Sequence, residues 1–328
     1  MSVRRILYIV MVIMTIGSYG ECAANSSAGT TADQILEIPN GVRAVGMGGA
    51  FCAVADDSDC LSFNPAGLGV MKHTEISLQN DQWFQGMQHQ FAGIIYNLHD
   101  VRAFNLEDLG CIGLAFTSFD SGDVVGTDAL GALTGTFSVK KSVITACYGK
   151  PLIDMENVGK ITAGFNAKYV EEDLVDDTVK SAAADVGVLW LISGGEYSLG
   201  AAVQNMGGDV SYSVEDFKLP LNMKAGVAGR FLNKALILDA DVNNPNNSDL
   251  YFNVGGEYWA MDTIAFRAGY DSRNTVGSGL TLGFGLSIKQ LDIYFIYLHD
   301  LEIDYAFVSY GDLGDTNRVG IKLKLGAD

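Results

Sequence analysis

Positive charge is scarce in this chain. Only 21 lysines and arginines stand against 39 aspartates and glutamates among 328 residues, a formal net charge of −18. So acidic a surface repels phosphate backbones, which excludes nucleic-acid binding. Proline is scarcer still, at 5. Charged residues of both signs make up only 18% of the chain, below the roughly 25% of an average soluble domain. Past residue 20 no apolar run approaches the ~20 residues of a spanning helix, yet mean hydropathy is positive at +0.18. No CxxC pair occurs, and the four histidines (His73, His89, His99 and His299) are well spread, so no zinc site and no cofactor is expected. What is abundant is glycine, at 39 residues, together with an apolar set of 48% and aromatics at 10%. The glycines follow no Gly-x-y period, which excludes collagen, and the aromatic content argues against disorder. Slightly hydrophobic, acidic, glycine-rich and without apolar helices, the composition points to a β-barrel whose outside is apolar.

The amino terminus reads as an export signal. Arg4 and Arg5 precede an apolar run over residues 6–16, and small residues follow at Gly17, Ser18, Gly20, Ala23 and Ala24. A basic start, a short apolar stretch and a small-residue exit describe a signal peptide over residues 1–24. The run is too short for a membrane anchor.

From residue 74 onward the chain reads in twos. Ile264, Phe266, Ala268 and Tyr270 alternate with Ala265, Arg267, Gly269 and Asp271. Leu280, Leu282, Phe284, Leu286 and Ile288 alternate with Thr281, Gly283, Gly285, Ser287 and Lys289. Side chains alternate faces along a strand, so each such segment has one apolar and one polar or glycine-rich face. About fourteen segments of this kind are expected, one of them over 135–149, at roughly the 9–11 residues that cross a bilayer at a tilt. Tight connections such as 193–195 and 232–233 alternate with longer acidic ones expected at 171–178 and 243–249, the habit of a membrane barrel. Residues 291–310 are too long for one strand, and a turn at His299-Asp300 is considered there. The expected fold is therefore all-β: a closed antiparallel transmembrane barrel over 74–328, preceded by a compact segment over 25–73.

Export permits a disulfide, and Cys52 and Cys60 are close enough in sequence to bridge a small loop. Each could equally be a small buried hydrophobe. Arg267, Lys224 and Lys168 fall on polar faces. They are candidate lumen contacts for a ligand, or partners of lumen acids such as Asp239, Asp241 and Asp271, because buried charge needs a partner. The acidic cluster around Glu171 and Asp177 lacks a calcium-loop pattern and reads as a solvated surface.

Residues 41–68 contain Gly46, Gly48, Gly49, Asp56, Asp57, Asn64 and Pro65. Glycines allow tight backbone packing, and the Asp-Asp and Asn-Pro pairs are turn formers. The glycine cluster is no dinucleotide fingerprint, since no strand–helix context or acidic ribose partner accompanies it. As a whole this run resembles the amino-terminal signature of the PorV/PorQ-like (UPF0164) proteins, within the FadL-like outer-membrane barrel superfamily. Residues 304–308 and 311–318 look like that family's last hairpin, and 238–243 with 268–270 are similar to its middle strands. The resemblance implies a fourteen-stranded barrel in the bacterial outer membrane with its amino-terminal segment lying in the lumen as a plug. It implies partners too: membrane lipid, and either a hydrophobic small molecule taken up as in FadL-type members or secreted protein cargo as in PorV-type members. A non-enzymatic role follows. An outer-membrane hydrolase and a purely structural surface protein are the alternatives.

Overall fold

The structure is a computed structural model of the whole chain. It describes residues 29–98, 109–156, 158–174, 177–212, 215–293 and 296–326; the expected signal peptide lies outside them. Eighteen strands occur among the described residues. In chain order they are β1 (Thr74–Gln82), β2 (Gln88–Asn97), β3 (Cys111–Asp120), β4 (Val124–Thr127), β5 (Leu133–Phe137), β6 (Lys140–Met155), β7 (Gly159–Asp173), β8 (Thr178–Ile192) and β9 (Tyr197–Met206). They continue with β10 (Val210–Ser211), β11 (Asp216–Phe217), β12 (Asn222–Phe231), β13 (Leu236–Pro245), β14 (Tyr251–Ala260), β15 (Ile264–Asp271), β16 (Leu280–Ile293), β17 (Ile296–Ser309) and β18 (Asp315–Leu325). Fourteen of them close into an antiparallel barrel in which each strand pairs with its neighbours in sequence, and β4–β5 and β10–β11 are separate hairpins. Closure joins first to last: Thr74 pairs with Leu325 and Gln82 with Asn317. A closed cylinder leaves no edge strand, so every backbone polar group of the wall finds a partner without water.

The face assignment follows the expected alternation. On β3, Ile112, Leu114 and Phe116 are exposed while Cys111, Ala115 and Thr117 are buried. On β8, Val186, Val188 and Trp190 are exposed while Asp185 and Leu189 are fully buried. Apolar residues out and polar residues in is the reverse of a soluble sandwich, and it suits a wall set in lipid.

The two ends differ. At one end β1 begins and β18 ends, short turns cover 193–196, 232–235 and 261–263, and the longer stretch 98–110 separates β2 from β3. The other end carries the long connections 121–139 and 207–221 with both hairpins. By the turn-length habit of membrane barrels, the first end is periplasmic and the second external.

Three expectations need correction. His299-Asp300 makes no turn: both lie inside β17, where the pairing with β18 shifts register between Leu298 and Asp300. A bulge takes up the extra residue and the strand continues. Half of the long acidic connection expected at 171–178 is strand, because β7 runs to Asp173 and β8 starts at Thr178. The segment expected from 135 begins instead at Lys140, and residues 133–137 belong to the outer hairpin.

Candidate functional site

Residues 41–70 have little regular structure beyond α1 (Val42–Gly46), α2 (Cys60–Phe63) and a 3-10 turn at Pro65–Gly69. They are nonetheless almost wholly buried. Such a segment needs partners for its backbone polar groups, and the polar face of the barrel supplies them. Asn253 Nδ2 donates to the Gly48 carbonyl at 2.5 Å, and Thr281 Oγ1 to that of Gly46 at 3.1 Å. Asp241 Oδ2 accepts from the amides of both Phe51 and Cys52 at 3.0 Å. Asn166 Nδ2 donates to Leu61 O, Gln204 Nε2 to Ser62 O and Thr162 Oγ1 to Ala66 O, at 2.7 to 2.8 Å. In a closed cylinder that polar face is the inside, so the segment lies in the lumen.

Glycine makes the approach possible. A β-carbon on Gly269 of β15 would sit 2.2 Å from the Gly48 nitrogen, and one on Gly255 of β14 would sit 2.2 Å from the Met47 carbonyl oxygen. Gly48 itself has φ +71°, a left-handed conformation that favours glycine. Gly46 and Gly49 belong to the same close passage: Gly46 faces Gly283, and Gly49 faces Asn253. Asn64 caps the turn that Pro65 opens by accepting from Ala66 N. Its Nδ2 also donates to Cys52 O at 2.9 Å and Val188 O at 3.1 Å, tying the segment to β8.

Charge fixes the segment at the periplasmic half. Arg43 Nη2 meets Glu257 Oε1 at 2.7 Å, and its Nη1 meets Asp56 at 2.7 Å and Asp57 at 2.9 Å. Asp56 also pairs with Arg230 of β12 at 3.1 Å. Lys322 of β18 meets Asp57 at 2.6 Å and Asp59 at 2.8 Å. Arg267 bridges Glu257 and Asp304, both at 2.6 Å. Burial raises the proton affinity of a carboxylate, but Lys322 and Arg43 reverse this at Asp57 and hold it well below the usual carboxylate range. Asp59 goes the other way. Burial and the nearby Asp57 charge push it up to about 6 against the pull of Lys322.

The sequence reading of Asp56 and Asp57 as turn formers thus missed their ion pairs. It also missed Arg43, Asp59, Glu257, Asp304 and Lys322. Glu257 and Arg267 pair across β14 and β15, a contact that only the register reveals. The three basic candidates separate. Arg267 is held inside this network and lines neither of the two cavities described below. Lys168 meets Asp185 at 2.8 Å, not one of the acids considered for it. Lys224 places its ammonium 4.7 Å from the centre of the Phe63 ring. The disulfide is not formed: Cys52 and Cys60 are both free and buried. Cys60 packs with Leu68, Ile95 and Cys147, whereas Cys52 lies against Gly200 and Gly226 on β9 and β12.

Lys168 and Lys224 line a cavity of about 100 Å³ in the external half of the lumen. Its floor is the buried segment at Gly49, Leu61 and Phe63, and residues 35–40 form its roof. Asn40 Nδ2 holds that roof to Thr117 Oγ1 at 3.1 Å, and Arg273 holds Glu37 at 3.5 Å. At the periplasmic mouth a second cavity of about 380 Å³ is lined by opposed charges, among them Arg230, Lys289, Asp300 and Lys324.

No family model matches the chain, and no curated protein matches it. Solved structures do. The toluene transporter TbuX of Ralstonia pickettii superposes with a TM-score of 0.57 at 14% identity, over 87% of this chain and 97% of that one. A deltaS2 mutant of the monoaromatic hydrocarbon channel TodX gives a TM-score of 0.60 at 12% identity, over 88% and 99%. A FadL homologue of Pseudomonas aeruginosa gives 0.51 at 10% identity, over 87% and 97%. This chain therefore has the fold of FadL-like outer-membrane barrels, and with its apolar outer face it is a protein of the bacterial outer membrane.

Proposed function

We propose that this protein carries hydrophobic small molecules across the outer membrane, with residues 41–70 acting as a plug that must yield for passage. The observation that carries the reading is the asymmetry of the lumen. A partly apolar cavity lies in the external half, and an ion-paired, almost wholly buried segment lies in the periplasmic half. The solved structures it resembles include transporters and channels for toluene and monoaromatic hydrocarbons, which agrees with this role. An apolar cavity of about 150 Å³ takes up benzene. The external cavity, at about 100 Å³, therefore accepts such a molecule only when the roof at residues 35–40 shifts.

The test is accumulation of a labelled monoaromatic compound by cells with and without the protein, paired with mass spectrometry of small molecules that co-purify in detergent. Faster accumulation and a bound apolar compound support the proposal. Equal accumulation with a secreted protein co-purifying instead would transfer the assignment to protein export, and phospholipid hydrolysis abolished by one substitution would transfer it to an enzyme.

A further inference from the structure

The lipid-facing wall has a hollow in it. Ile321, Leu78, Ala92 and Phe116 stand side by side in register across β18, β1, β2 and β3, on the outward face. Three of them are large and exposed, and the fourth is an alanine. Leu78, Phe116, Val319 and Ile321 therefore wall a groove of about 370 Å³ over Ala92. The next register row toward the external end changes character. There Asn80, Gln90 and Ser118 are neighbours and line the same groove. The row beyond it, Gln82, Gln88 and Asp120, is polar too, so the apolar band of the wall ends at the external end of the groove. Gln90 Nε2 donates to Asn80 Oδ1 at 3.1 Å, whereas among the described residues Asn80 Nδ2 has no acceptor. No charged side chain among the described residues lines the groove, and the buried Gln79 and Phe91 complete its lining.

The bilayer around this wall supplies what fills the hollow. Its interior offers acyl chains, and an apolar groove left empty forfeits their contacts. An amide at the edge of the apolar band needs a partner, because an unsatisfied polar group in lipid is costly. A bilayer presents acceptors at that level in the carbonyls that link its acyl chains to the headgroups. A neutral carbonyl oxygen accepts from Asn80 Nδ2 and requires no cation. A phosphate calls for lysine or arginine, and neither lines the groove. A second copy related by a two-fold axis would present the same patch, setting hollow against hollow and filling neither.

We propose that this groove holds one acyl lipid of the external leaflet, its chain over Ala92 and its linkage carbonyl on the amide pair of Asn80 and Gln90. The inference stands on the membrane location of the barrel and is independent of what the lumen carries.

The experiment is native mass spectrometry of the full chain in detergent, titrated with dimyristoyl phosphatidylcholine or with its ditetradecyl ether analogue, which has methylenes in place of both ester carbonyls. The wild type should bind one diester lipid at least about fivefold tighter than the ether, the worth of one neutral hydrogen bond. Replacing both amides, Asn80→Leu with Gln90→Leu, should bring that ratio close to one. Ala92→Trp fills the hollow and should abolish the tight adduct of either lipid. Ala182→Trp, at another outward alanine of the same register row on β8, should leave it unchanged. Equal affinity of the two lipids for the wild type overturns the proposal, as does an adduct that survives Ala92→Trp or the absence of any tight adduct. A dimer that Ala92→Trp dissociates would overturn it in favour of a second copy on this face. Folding of each variant is checked by heat-modifiable electrophoretic mobility, and the wild-type ratio alone decides the matter if a variant fails to fold.

Discussion

Replacing Arg43 with methionine should loosen the luminal segment without unfolding the barrel. Methionine keeps an unbranched apolar stem beside Phe51 but removes the guanidinium, whose carbon lies 5.3 Å from that ring's centroid, and with it the charge. Removing one partner of a buried ion pair typically costs about 3–5 kcal/mol, most of it from the acid left alone. Here each acid keeps a second cation: Glu257 retains Arg267 at 2.6 Å, Asp57 retains Lys322 at 2.6 Å and Asp56 retains Arg230 at 3.1 Å. The loss therefore belongs at the lower end, about 3 kcal/mol. At about 1.4 kcal/mol per decade this raises the fraction of molecules with the segment undocked about 100-fold. Cys60 reports that fraction. Its thiol is fully buried, and burial pushes its proton affinity well up, so it stays unreactive while docked. The assay is maleimide labelling of a chain in which Cys60 is the only thiol, in detergent, normalised to the denatured chain. When opening and closing are fast compared with labelling, the rate follows the open population. A rise below about threefold, with the barrel still folded, would show that the ionic network does not hold the segment and refute the reasoning.

The same assay has a pH dependence of unusual sign. Asp59 titrates near 6 in the folded protein against an ordinary value of 3.8, so between those limits the folded form binds the extra proton, and docking strengthens as pH falls from about 6 toward 4. Asp57, held low, contributes stability that is lost only below that window. Normalised Cys60 labelling should thus decrease on acidification from pH 7.5 to 5, and Asp59→Asn should flatten the profile; faster labelling at pH 5 would contradict the assignment. Gly269→Ala puts a β-carbon 2.2 Å from Gly48 N and should weaken docking by about 1–3 kcal/mol, as overpacking does. Gly256→Ala, with its nearest neighbour Leu238 Cδ2 at 3.2 Å, should change Cys60 labelling little; equal effects of the two would count against the close passage. Leu114→Arg, on the exposed face of β3, should lower folding stability in lipid vesicles by about 2–4 kcal/mol if it lies near the bilayer midplane. An unchanged urea midpoint would show that this face does not meet lipid.

The barrel was readable because its wall repeats one rule. Every strand alternates, so Phe266 against Arg267, or Leu282 against Gly283, reveals the face before any coordinates. Strand ends were less readable, since β7 and β8 extend through Glu171–Asp173 and Thr178, where acidic composition imitates a loop although Glu172 is buried against Lys141 and Tyr212. The bulge at Leu298–Asp300 carries no glycine or proline to announce it. The luminal site was visible only as a glycine-rich, turn-rich stretch. Its partners lie far away in sequence: Arg43 meets Glu257 and Asp57 meets Lys322, contacts set by barrel closure and register.

The central claim is that residues 41–70 seal the lumen, and electrical conductance across a planar bilayer tests it most directly. The intact chain should pass no measurable steady ion current, whereas a chain lacking residues 41–68 that still shows folded, heat-modifiable mobility should open a persistent ohmic pore. Identical currents from the two proteins, whether both silent or both conducting, would contradict the account.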